Sequence, residues 1–122
     1  MKSIEKVTEG FPVSIGSDVP IADPNPMVNI CAAVTRRTEN GCTLPQLGIR
    51  ILDAIRMHTL DAAAANFEEQ VKGSLTPGKL ADMVLLSENP FSVDSADIKD
   101  IEVIMTVLGG RVIRDSRFGI RD

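Results

Sequence analysis

The hydrophobic period of this chain changes once, near Val71, and the β half that follows holds only about three strands. Before that point, apolar residues recur at helical spacing. Met27, Ile30, Cys31 and Val34 form one stripe. Asn25-Pro26 opens it, a side-chain cap followed by a proline whose missing N–H costs nothing at the first helical position. Asn40-Gly41 is expected to end this helix. A second helical stretch opens at Thr43-Leu44-Pro45 and carries Ile51, Leu52, Ile55, His58 and Thr59 on one stripe. Asp61 marks a break, Ala62 to Ala65 continue in strong helix formers, and Phe67 is expected to pack back on the core.

Beyond Val71, Gly73 to Lys79 is turn-rich, with Pro77-Gly78 suited to the centre of a type II turn. Ala81 to Leu86 reads as a strand, with Asp82 a hydrogen-bonding residue near its start. Residues 93–100 are a polar connection with a helical turn. Glu102 to Leu108 is a second strand, and Gly109-Gly110 turns it into a third, Arg111 to Arg114. The polar tail from Asp115 is expected to fray. A sheet this thin needs cover on its faces and edges.

Near the start, Val13 to Ile15 reads as a short buried strand that runs into Gly16-Ser17-Asp18. Pro20, Pro24 and Pro26 then enforce a loop before the first helix. Strand, loop and helix make one βα unit, so the fold class is α/β. An acid just past the C-terminal tip of a buried strand is where barrel enzymes keep catalytic groups. The chain has one His and two Cys, which leaves Asp18 almost no metal co-ligands of its own.

Composition excludes several classes. A net charge of −4, with Arg36-Arg37 the only adjacent basic pair, argues against nucleic acid as a partner. Aromatic residues total 3%, too few for a stacking platform. No apolar run approaches the roughly 18 residues of a membrane helix, and Met1 to Glu9 lacks the pattern of a secretory signal, so no membrane is expected and the cytoplasm is the default location. Cys31 and Cys42 are expected as reduced thiols rather than a disulfide framework.

Three segments together resemble the C-terminal end of the amidohydrolase superfamily: Pro12 to Asp18, Lys72 to Leu86, and Val107 to Ile113. Ala32-Ala33-Val34-Thr35-Arg36-Arg37-Thr38 and Phe67-Glu68-Glu69 are similar in particular to the branch of metal-dependent hydrolases related to N-substituted formamide deformylases. The resemblance implies a partial fold. Residues 1–70 would be the last βα unit and helices of a TIM-type barrel, and residues 71–122 the C-terminal strands of a small flanking β-sandwich. It implies hydrolysis of non-peptide carbon–nitrogen bonds with a divalent metal of the zinc type. It assigns Asp18 the role of catalytic acid and metal contributor. The His-x-His pair and the other ligands of such a site have no match in this chain, so the expectation is a chain inactive alone and binding no metal alone. The implied partner is a second copy of the chain or the N-terminal portion of the hydrolase.

Plainer readings stand beside these. A non-enzymatic remnant or assembly module, associating through exposed strand edges, shares the fold but gives Asp18 no chemistry. On spacing alone Asp18 is a turn or capping residue. His58 reads as a packed or capped histidine, and the methionines as core filler. Arg36-Arg37 reads as a solvated or ion-paired helix end. Gly73 to Lys79 lacks the ending of a phosphate loop. Glu68-Glu69 reads as surface charge.

Overall fold

The computed structural model describes residues 11–37, 41–44 and 48–118. Helix α1 spans Pro26–Thr35, α2 spans Ile51–His58 and α3 spans Leu60–Ala65. Strands β1 (Met83–Leu86), β2 (Val103–Leu108) and β3 (Arg111–Asp115) form one antiparallel sheet in the order β1-β2-β3. A single 3₁₀ turn, Ile98–Asp100, precedes β2.

The start of α1 follows the capping logic of its sequence. Asn25 takes extended dihedrals and its side chain accepts the Met27 N–H at 3.0 Å, while Pro26 fills the first helical position. The end of α1 differs from the expected Asn40-Gly41 stop. Arg36 turns left-handed at φ 58° and donates its N–H to the Ala32 carbonyl at 2.8 Å, closing the helix several residues earlier. The chain then doubles back, because Arg37 and Thr43 form an isolated antiparallel bridge.

The second helical stretch also differs from its reading. It starts at Ile51 rather than near Thr43, and residues 45–47 lie outside the described set. Its buried face is Ala54 and Met57, while Leu52 is exposed. The break between α2 and α3 falls at Thr59, whose dihedrals are neither helical nor extended. Two residues on, Asp61 pairs with Arg56 at 3.0 Å across the break.

The core is built between the helices and the connection to β2, not under the sheet. Met27, Ile30 and Cys31 from α1 meet Ala54 from α2 and Ile98 and Ile101 from the 3₁₀ turn and the residue after it. Ile98 is 1% exposed. The Cys31 thiol points at the Ser95 carbonyl, 3.4 Å away, and ties α1 to the loop that carries Ile98. Leu86 reaches this cluster from the end of β1.

The sheet itself is open on both sides. Val84 and Leu85 are neighbours, so they point to opposite faces, and they are 55% and 51% exposed. Val112 and Ile113 are exposed on β3 in the same way. The β2–β3 hairpin turns on Gly109 (φ 57°) and Gly110 (φ 80°), the paired positive values of a type I′ turn. Asp82 does the job expected of it: its Oδ1 accepts the Gly109 N–H at 2.7 Å and pins the hairpin turn to the start of β1. Gly78 sits at φ 93° with the Lys79 N–H bonded to the Thr76 carbonyl, which closes the expected Pro77-Gly78 turn.

Three further expectations are corrected. Val13 to Ile15 is not a strand. No ladder partner lies beside it among the described residues, and its one backbone tie is Ile15 N–H to the Met57 carbonyl at 3.3 Å. A barrel-type strand holds its form only between neighbours. Phe67 does not return to the core; it is 92% exposed, because a left-handed φ of 61° swings it away at the end of α3. Asp115 does not begin a frayed tail. It is buried, it closes β3, and it accepts from the Arg117 backbone N–H at 3.1 Å and from the Arg117 guanidinium at 3.0 and 2.9 Å. That hydrogen bonding, with the charge of Asp115, holds the Arg117 side chain above its ordinary pKa. Among the described residues, no helix is long and apolar enough to cross a membrane.

Candidate functional site

Asp18 is the residue on which the sequence concentrates its chemistry. The structure places it on the exposed loop between residue 15 and α1, in the left-handed region at φ 56°. An aspartate is among the few residues that tolerate that conformation. Its carbonyl accepts the Ile21 N–H at 2.8 Å, which makes it the first residue of a tight turn. No hydrogen bond or ion pair holds its carboxylate among the described residues. Its backbone therefore fits the turn reading; with no strand at Val13 to Ile15, the strand-tip reading has no support in the backbone.

A catalytic zinc takes three protein ligands and an open position. Among the described residues, no group of three His, Cys, Asp or Glu is placed to hold a metal ion. Asp18 alone does not fit such an ion. His58 does not supply a second ligand. Its ring sits on α2, and Nδ1 donates to the Ala54 carbonyl at 3.0 Å, one helical turn back. The packed, capped histidine is thus what the structure shows. Cys31 is buried in the core and Cys42 is exposed, with no disulfide.

Among the described residues, two hollows lie on the surface away from Asp18. One, of about 560 Å³, lies between α2–α3 and the strip from Lys72 to Leu75, with Asp82, Met83 and Val84 as its far wall. Its exposed walls are chiefly apolar, with His58, Thr59, Asn66, Lys72, Ser74 and Asp82 as its polar residues. The other, of about 590 Å³, lies between α1 and the 3₁₀ turn, where Asp23, Arg37 and Lys99 converge.

The sequence misjudged one acid. Glu68 and Glu69 are both half-buried, and Glu68 bridges to Lys72 at 2.7 Å while Glu69 does not. Its Oε2 is shut from solvent with no hydrogen-bond partner among the described residues. A buried acceptor without a donor is rare and calls for a partner group. Two adjacent glutamates after a helix give no pattern that tells which one finds a partner.

The chain belongs to the amidohydrolase family, whose sequence profile matches residues 4–114. It is 40% identical over 101 residues to the protein LONG AFTER FAR-RED 3 of Arabidopsis thaliana, covering 81% of this chain and 17% of that protein. It is 31% identical over 111 residues to the N-substituted formamide deformylase of Arthrobacter pascens, covering 90% of this chain and 20% of the enzyme. It is 28% identical over 111 residues to a Bacillus subtilis (strain 168) protein named as an amidohydrolase, YtcJ, covering 88% of this chain and 21% of that protein. The chain therefore spans about a fifth of the length of these relatives. The α/β character, with a small antiparallel sheet and few helices, is in keeping with the family reading.

Proposed function

We propose that this chain is the C-terminal portion of a metal-dependent amidohydrolase that cleaves carbon–nitrogen bonds other than peptides, and that it is inactive alone. The family match over residues 4–114, set beside the solitary Asp18, is the observation that carries the reading. Similarity to a relative named as an N-substituted formamide deformylase supports the bond class. In this reading residues 1–70 are the end of the barrel and residues 71–122 the C-terminal share of a composite sandwich. The open faces of the sheet and the unpartnered Oε2 of Glu69 support a unit whose covering groups lie elsewhere.

Asp18 then contributes one carboxylate to a centre completed by other segments. Its role is to take a proton from water as the water oxygen adds to the acyl carbon, and to return that proton to the departing nitrogen. An exposed carboxylate with no competing partner in its own loop suits that exchange.

Two measurements test this. Elemental analysis of the purified chain is expected to show no stoichiometric zinc. A tight one-to-one ion that disappears in Asp18→Ala overturns the incomplete-site reading. In the Arthrobacter pascens deformylase, changing the residue that aligns with Asp18 to its amide, or to Ala if it is not an acid, is expected to lower kcat by about 10²-fold or more with folding retained. An unchanged kcat removes the catalytic role.

A further inference from the structure

The last carbonyls of a helix have no partner inside it and must find donors elsewhere. At the end of α2, successive carbonyls find them in two places. The Ile55 carbonyl accepts the Thr59 hydroxyl at 2.8 Å, and the Arg56 carbonyl accepts the Thr59 N–H at 3.0 Å. The Met57 carbonyl accepts from far along the chain, taking the Ile15 N–H at 3.3 Å. In a helix that ran on through Thr59, Met57 would instead accept the N–H four places ahead, that of Asp61. The break leaves that carbonyl to Ile15.

Thr59 makes the break. Its dihedrals, φ −126° and ψ −92°, are neither helical nor extended. A β-branched residue is a poorer helix former than the alanines that follow it. Its hydroxyl and its N–H both turn back onto α2, while its carbonyl starts α3 by accepting the Ala63 N–H at 2.9 Å. Arg56 and Asp61 then clamp the two helical pieces from either side of the break at 3.0 Å.

We propose that the α2–α3 break positions Asp18, with Thr59 and the Arg56–Asp61 pair as its positioning residues. Ile15 lies three residues before Asp18, so their Cα atoms are no more than about 11 Å apart. Two backbone ties bracket the acid. Ahead of it, the Ile21 N–H closes on the Asp18 carbonyl at 2.8 Å; this tie is local and shapes the turn. Behind it, Ile15 is held by Met57; this tie is long-range and sets where the turn sits against the helices. A continuous helix would take the Met57 carbonyl for Asp61 and release the loop. A reacting group misplaced by ~1 Å can cost about 10²-fold in rate, so the tether matters to a carboxylate that must meet a centre built by other segments. The purpose of the tether rests on the chemistry proposed above for Asp18, but its test does not. An unchanged kcat in the deformylase removes the chemistry and leaves the tether, whereas a free Ile15 amide removes the tether and leaves the chemistry.

Amide hydrogen exchange of the full chain, read by two-dimensional NMR, is expected to show the Ile15 N–H protected at least about tenfold over its rate in an unstructured peptide. Thr59→Ala favours one continuous helix. It is expected to speed exchange at Ile15 by about fivefold or more, with the Ile30 amide of α1 unchanged and no fall in the denaturation midpoint. Thr59→Ser keeps the hydroxyl that bonds Ile55 and is expected to retain the protection of Ile15. Ile15→Pro removes the donor itself and is expected to lower the ¹H–¹⁵N NOE at Gly16, Ser17 and Asp18. An unprotected Ile15 amide in the wild-type chain overturns the proposal. So does exchange at Ile15 that Thr59→Ala leaves unchanged or speeds only together with Ile30, a Thr59→Ser chain that behaves like Thr59→Ala, or an unaltered NOE in Ile15→Pro.

Discussion

The helical region and the sheet are made from equally apolar sequence, yet only one of them is closed. Around α1, the side chains of Met27, Ile30, Ala54, Ile98 and Ile101 bury one another within this chain. In the sheet, residues of the same type on consecutive positions of β1 and β3 stand in solvent on both faces. The difference teaches that hydrophobic patterning records where a residue is meant to be covered, not whether the covering group is present. A strand of Met, Val and Leu is written for burial. Three strands supply the ladder but not the second layer that buries it.

The sharpest way to break this comparison is to truncate the best-buried residue of the closed region. Ile98→Ala is expected to destabilise the chain by about 3 kcal/mol, the transfer free energy of the lost methylenes plus the cavity they leave. Chemical denaturation monitored by far-UV circular dichroism reads it. A loss below about 1 kcal/mol means that the α1 cluster is not the folding core.

Next in size is the joint between the two regions. Gly73 takes φ 92°, and a Cβ built there lies 2.8 Å from the Ala63 Cβ and 3.0 Å from the Leu60 Cα. Both the left-handed backbone and the close approach to α3 require glycine. Gly73→Ala is expected to cost about 2 kcal/mol, read by the same denaturation curves. A neutral result places the 72–75 strip away from α3 and widens the groove that it lines. Smaller again is the cap of α1. Asn25→Ala removes the acceptor for the Met27 N–H and is expected to cost about 1 kcal/mol, with a matching drop in helical signal at intermediate denaturant.

What the sequence disclosed follows the range of the forces involved. Local devices were legible: the Asn25-Pro26 start, the Pro77-Gly78 turn, the Gly109-Gly110 hairpin and the Asp82 tie all depend on residues a few positions apart or on one turn. So was the separate character of the two halves. Devices set by distant neighbours were not. Val13 to Ile15 has strand composition, but a strand exists only against another strand, and composition cannot report the absent ladder. The apolarity of Phe67 points to the core, while the left-handed turn at its own backbone decides its direction. The polarity of Asp115 points to a tail, while three donors from Arg117 allow it to be buried. At the candidate site, Asp18 was found through its motif, and no spacing rule distinguishes a catalytic aspartate from a turn aspartate when its loop is alone.

The smallest expected effect tests the open half of the comparison directly. Ile113 is an isoleucine like Ile98, but it lies on β3 at the irregularity where the β2 pairing steps from Arg114 to Val112, and it is 45% exposed against 1%. Removing the same atoms from a site already half in water leaves no closed cavity and forfeits little transfer free energy. Ile113→Ala is therefore expected to change stability by no more than about 0.5 kcal/mol. With no closed cavity at this site, that small effect should hold at every protein concentration. A loss near that of Ile98→Ala, or one that grows as the chain is concentrated, means that this face is covered in solution and that the closed region and the open sheet are not different after all.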